Sequence, residues 1–231
     1  MFNELRRLWS KEDLFTQAQK KTGEMLTKNE EIFLSVMGTV MNNKKMNIDI
    51  YKADKETNRY EIKIRKKIIE HLAINPRYDT VGSLVLLGIA KDIERIGDFS
   101  KNIYELSQIH NGNLSKSRYF TEIDDIGKNV IENFRLTSEA LANFDKEKAK
   151  KVMDSHHKVL KKKADKVLKD LLSKGGKDQK TTLVCALLSR YLKRVDAHLA
   201  NIASTMVNPF HRIRFQDTSD DTNIPKIKKK K

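Results

Sequence analysis

The chain has 231 residues, with 46 Lys and Arg against 31 Asp and Glu for a formal net charge of +15, one cysteine, nine glycines and three prolines. A single cysteine excludes an internal disulfide, the charged opening MFNELRRLWSKED lacks the apolar core of a secretory leader, and the longest apolar run, VGSLVLLGIA (81–90), is too short to span a membrane. Scarce turn formers beside plentiful Lys, Glu and Leu predict an all-α, cytoplasmic protein.

Taken in chain order, six helical stretches are expected. The first covers about 11–41. The second covers about 46–74 and ends at Asn75-Pro76, because the residue before proline avoids the α region. The third covers about 77–110, followed by the turn-forming cluster NGNLSKS (111–117). The fourth covers about 119–143, and the fifth about 145–173, stopped by Gly175-Gly176. The sixth covers about 178–207, stopped before Pro209. Helices of this length suit antiparallel bundles with short connections. Residues 208–231, ending KIKKKK, read as a basic, unstructured tail.

The positive charge is concentrated, with eleven lysines against five acids over residues 145–174. No aromatic residues are interleaved with them and no groove-reading motif is present, so specific nucleic-acid binding is not expected. A solvated helix face and peripheral contact with an anionic membrane surface are the two readings of this charge, the tail being the expected membrane contact. Cys185, inside LVCALL, reads as a small core residue. His156 and His157 point about 100° apart on a helix and do not suit one ion, and His71 and His198 lack obvious partners.

An internal repeat divides the helices as three plus three. An offset of 99 lays KDIERIGDFSKNIY (91–104) on RYLKRVDAHLANIA (190–203), pairing Arg95 with Arg194, Asn102 with Asn201 and Ile103 with Ile202. Two tandem three-helix bundles follow, residues 1–112 and 113–207. In the first, Glu94, Asp98, Asn102 and Glu105 fall within about 80° of arc, and Asp54, Asn58, Glu61 and Arg65 of the preceding helix within about 60°. Spacing alone favours solvated stripes carrying Lys91–Glu94 and Arg95–Asp98 ion pairs. The cost of Glu94 beside Asp98, with Gly97 between them, asks for an explanation.

The segment DIERIGDFSKNI, preceded by DKETNRYEIKIRKKIIEHL (54–72), resembles the PhoU family of phosphate-uptake regulators over about residues 1–207. The resemblance rests on Asp92, Glu94, Arg95, Ile96, Gly97, Asp98, Asn102 and Ile103, with Asp54, Asn58, Glu61, Ile64 and Arg65. It implies two PhoU-like bundles and metal binding through the acidic motif. It implies no enzymatic activity, and contact with a phosphate transporter and a sensor kinase. Glu94, Asp98, Asp54, Glu61, Asn58 and Asn102 are then the expected ligands, their oxygens suiting iron, manganese or magnesium. The second repeat departs from the motif, with Lys193, Asp196 and Ala197 where the first has Glu94, Gly97 and Asp98. Metal is therefore expected on the first repeat alone, a rebuilt site with Asp154, Asp165 or Asp196 being the alternative. A PhoU-like domain of the kind joined to sodium/phosphate cotransporters and a metal-dependent bundle without a phosphate role are the competing readings. Homo-oligomerisation stays open.

Overall fold

The computed structural model describes residues 13–74, 79–110, 114–175 and 178–215, and every regular element among them is helical. Helices α1 (Leu14–Asn42), α2 (Ile50–Ile74) and α3 (Thr80–Ile109) form one three-helix bundle. A second is formed by α4 (Phe120–Asn143), α5 and α6 (Gln179–Val207). Here α5 is a continuous rod in three parts: Lys146–Asp154, a π-helical turn Ser155–Leu160, and Lys161–Lys174. Of the expected connections, Asn75-Pro76, residues 111–113 and Gly176 lie outside the described residues, as does the tail from residue 216.

Aspartates open five of the helices. The Asp13 carboxylate accepts the backbone N–H groups of Phe15 and Thr16 at 2.6 and 3.1 Å, and Asp49, Asp79, Asp145 and Asp178 cap α2, α3, α5 and α6 in the same way. Each satisfies amides that have no partner in the helix and faces the positive end of its dipole. Helices α1 and α4 both stop on a left-handed residue, Asn43 at φ 53° and Phe144 at φ 52°, so the turns into α2 and α5 are built alike.

The apolar stripes merge into one core that runs through both bundles. Helix α3 packs on α6 and α1 on α4, which leaves α2 and α5 on opposite flanks. At the α3–α6 seam the buried Asp92 carboxylate accepts His198 Nδ1 at 2.8 Å and Asn201 Nδ2 at 3.2 Å. Nearby, the rings of Phe99 and Tyr191 lie 6.0 Å apart. Under the 99-residue offset Asp92 corresponds to Tyr191 and Phe99 to His198, so these two pairs are one contact repeated across a pseudo-two-fold axis. The seam corrects the expectation that His198 lacks a partner; its partner stands on a helix of the other repeat, beyond the reach of local spacing.

A second correction concerns the start of the tail. Residues 208–215 fold back over the seam instead of leaving it. Asn208 Nδ2 donates to the carbonyls of Arg212 and Phe215 at 3.1 and 2.8 Å. Arg214, at φ 74°, donates its N–H to Ser204 Oγ at 2.9 Å and its guanidinium to Asp92 Oδ2 at 3.0 Å. A left-handed arginine is strained, and the ion pair to a buried carboxylate offsets that cost.

Phe33 of α1 and Phe134 of α4, both fully buried, meet at 5.4 Å between ring centroids, so each bundle completes the other's core. Phe33→Ala should destabilise the protein by about 3–5 kcal/mol. Thermal unfolding followed by circular dichroism should show one transition, shifted down; a variant in which only half the helical signal melts early would show that the bundles fold independently.

Candidate functional site

Helices α2 and α3 pack along their length, and the two polar stripes meet at their junction. Lys91 Nζ lies 2.7 Å from Glu94 Oε2 and 4.0 Å from Glu61 Oε1, bridging the helices. Nearly three turns further along α3, Lys101 Nζ crosses to Asp54 Oδ1 at 3.0 Å. Two arginines close the outer side, Arg65 on Glu61 at 2.6 Å and Arg95 on Asp98 at 3.2 Å. Asn58 and Asn102, the two amides of the stripes, are half-buried at the same junction.

All six residues expected as ligands thus stand on the two facing helices. Their side chains form a balanced network of four carboxylates (Asp54, Glu61, Glu94, Asp98) and four cations (Lys91, Lys101, Arg65, Arg95). Among the described residues no group of three or more His, Cys, Asp or Glu side chains is drawn together around a point. The expected i,i+3 pairs, Lys91–Glu94 and Arg95–Asp98, are both present. Spacing along one helix could show those pairs, whereas the bridges from Lys91 to Glu61 and from Lys101 to Asp54 depend on the register between two helices.

Charge is not evenly satisfied within the network. Burial, and next to it the neighbouring Glu94, push the Asp98 carboxyl above its ordinary range; Lys101 and Arg95 oppose this and Asp54 adds to it. Burial works against the Lys101 ammonium, but its hydrogen bond to Asp54 and the nearby Asp98 and Glu105 outweigh that and raise it. Burial thus disfavours the ionised form of Asp98.

Gly97 has a different task from its acidic neighbours. It points inward, where a Cβ would come within 2.8 Å of Asn29 Oδ1 and 3.4 Å of Thr57 Cγ2. The Asn29 amide is fully buried, its Nδ2 donating to Met25 O at 2.9 Å, and its Oδ1 has no hydrogen-bond donor among the described residues. The bare Cα of Gly97 lets that oxygen settle against α3, where a side chain would expel it. The glycine serves the approach of α1 and α2 to α3.

In the second repeat the same position is Asp196, and the space is filled from the opposite side. Its carboxylate is completely buried and accepts Asn133 Nδ2 at 2.7 Å and His156 Nδ1 at 2.8 Å. Asn133 of α4 takes the place of Asn29, and His156, in the π-helical turn of α5, takes that of Thr57 under the 99-residue offset. Asp196 is thereby spent on internal hydrogen bonds. The remaining acids are also engaged: Asp165 pairs with Lys193, and Asp154 with Lys158 at 2.9 Å. Cys185 is buried, and burial raises its thiol above the ordinary range.

A protein-family model described as the PhoU domain matches residues 16–107 and 123–206, one match on each bundle. Among solved structures the fold is similar to that of PhoU from Pseudomonas aeruginosa, with a TM-score of 0.74 at 20% sequence identity, covering 84% of this chain and 95% of that one. No curated protein matches the chain significantly.

Two substitutions test this account of the site. Gly97→Ala forces a methyl against Asn29 and should cost about 1–3 kcal/mol in denaturant unfolding; an unchanged midpoint would show that the helices have room to spare. Asp98→Asn should act in the opposite direction. Because the folded protein holds the Asp98 proton more tightly than the unfolded chain, its ionised form weakens the fold as pH rises through the carboxylate range. Removing that charge should stabilise the metal-free protein by about 0.2–0.5 kcal/mol at neutral pH, and by nothing below the carboxylate range. Equal stability of the two proteins at all pH values would contradict it.

Proposed function

The chain belongs to the PhoU family of phosphate-uptake regulators, and from that premise we propose that it acts as an adaptor restraining phosphate uptake. In this reading it contacts a phosphate transporter and its sensor kinase at the cytoplasmic face of the membrane. The observation that carries the regulatory reading is the family match over both bundles. Members of the family are regulators rather than enzymes. Among the described residues no helix is long and apolar enough to cross a membrane, which suits a partner that docks rather than inserts.

The reading includes a cation on the first repeat, held by Asp54, Asn58, Glu61, Glu94, Asp98 and Asn102. The donor set fits a hard ion such as iron, manganese or magnesium, since every candidate ligand offers oxygen. What supports the placement is the meeting of four carboxylates and two half-buried amides at one helix junction. When bound, the ion supplies positive charge that relieves repulsion among these carboxylates. The protein's part is to release Lys91 and Lys101, whose long stems carry their ammonium groups into water without moving the helices. The second repeat holds Lys193 and the internally bonded Asp196 at the corresponding places, so one site per chain follows.

Elemental analysis and isothermal titration with Mn(II) test the site. Glu94→Ala/Asp98→Ala should abolish binding, Asp196→Ala should leave it intact while lowering stability, and Lys91→Met/Lys101→Met should tighten it by roughly tenfold or more, since two competing charges are gone. Retention of metal by the first variant would sink the assignment. The regulatory role is tested in cells deleted for the chain: a reporter of phosphate starvation should fire in phosphate-replete medium and fall silent when the gene is restored. A reporter indifferent to the deletion would refute the adaptor reading whatever the metal does.

A further inference from the structure

Helix α2 is a flank helix, packed against α1 and α3 on one side and, among the described residues, uncovered on the other. Its eleven exposed residues are Lys52, Lys55, Arg59, Lys63, Arg65 and Lys66, together with Tyr51, Ile62, Ile69, Ala73 and Ile74. Six are cationic, five are apolar and none is acidic. Two of its acids reach cations of neighbouring helices, Asp54 to Lys101 and Glu56 to Lys28; Glu61 is shared between Lys91 and Arg65, and Glu70 pairs with Lys66 at 3.9 Å beside Ile62 and Ile69. At 100° per residue Tyr51, Ile62 and Ile69 fall within about 20° of one another, a single file about 27 Å long with Lys55, Lys66 and Arg59 beside it. Ile62 and Ile69 are 64% and 65% exposed, well beyond what isolated surface isoleucines require.

The other flank offers a comparison. Helix α5 carries more lysines, yet they are laced with acids, Lys150 on Glu147, Lys158 on Asp154 and Lys174 on Asp170. Three acids stand on its exposed face, and its large exposed apolar residues, Val159 and Leu172, form no file like that of Tyr51, Ile62 and Ile69.

We infer that the outer face of α2 is a docking surface for an anionic lipid bilayer, with Tyr51, Ile62 and Ile69 entering the headgroup layer and the flanking lysines and arginines reaching the lipid phosphates. Charge complementarity and shape favour this occupant. A straight helix with aliphatic side chains in file and snorkelling cations on its sides suits a plane of headgroups. A protein partner's anchor would ask instead for a pocket of large buried side chains. The inference deepens the adaptor reading and rests on it only for the presence of a membrane nearby; it names the surface that lies against the leaflet.

Sedimentation of the full chain with vesicles tests it, using phosphatidylcholine alone and phosphatidylcholine mixed with phosphatidylglycerol. Wild type should bind only the mixed vesicles, with affinity falling as salt rises. Lys55→Glu/Arg59→Glu/Lys66→Glu should weaken binding about a hundredfold, and Ile62→Ser/Ile69→Ser about tenfold, including at high salt. The same charge change on α5, Lys162→Glu/Lys166→Glu/Lys169→Glu, should leave most of the binding in place. All the altered residues are exposed, so circular dichroism should show the wild-type fold in each variant. No binding of wild type to mixed vesicles overturns the inference, as does loss on reversing α5 but not α2. Binding indifferent to the isoleucines reduces the face to unspecific charge and overturns it too, and points to an acidic protein as the occupant. The assay contains neither phosphate nor transporter, so its failure leaves the regulatory reading standing, and a failed reporter experiment leaves this one standing.

Discussion

The constraint on which the structure turns is the enclosure of α3. Helix α1 lies on one side of it, α2 on another and α6 of the second bundle on a third, so its isoleucines at 89, 93, 96 and 103 are at most 3% exposed. Burying them removes apolar surface that each bundle alone would leave in water, at about 25 cal/mol per Å². Enclosure on three sides leaves only a narrow strip of α3 beside α2 for charge. Lys91, Glu94, Arg95, Asp98 and Lys101 occupy that strip, and the carboxylates of α2 come to them because α2 has no other neighbour on that edge.

The two repeats solve one packing problem in two ways. Where α3 must admit a buried asparagine, the first repeat removes the side chain at Gly97, and the second supplies a hydrogen-bonding partner at Asp196. The second solution needs a third polar group to satisfy a fully buried carboxylate, and His156 provides it from the π-helical turn. Such turns aim a side chain where regular α geometry would not. Once Asp196 is committed inward and Lys193 is paired outward with Asp165, the second repeat has no acidic pair on its α5–α6 edge to match Glu94 and Asp98. Divergence at three positions of one helix therefore separates a charged repeat from a purely structural one.

Much of this was legible in the sequence. The period of the apolar residues, the proline before residue 77 and the glycines after residue 174 marked the helices to within a few residues. The 99-residue offset exposed the duplication, and helical spacing put all six candidate ligands on two stripes. Contacts that depend on register between elements stayed hidden. Nothing near Asp92 in the chain points to His198, and nothing near Lys101 points to Asp54. Gly97 suggested close helix approach, but the buried Asn29 that requires it stands 68 positions earlier. Composition was likewise blind to residues 208–215, a segment held by the Asn208 amide and by Arg214 reaching a buried carboxylate.

Charge shows most clearly why counting and arrangement give different answers. The lysines of α5 dominate the count, but acids one turn away pair with three of them, and an exposed pair of that kind contributes little beyond cancelling its own field. On α2 two of the four acids, Asp54 and Glu61, are turned to the junction with α3, so the helix carries a negative inner edge and an outer face rich in cations. Arg65 stands at the border between them, on Glu61 and exposed to solvent at once. Any ion that took over the oxygens of Glu61 would release that guanidinium toward the outer face and add to its charge.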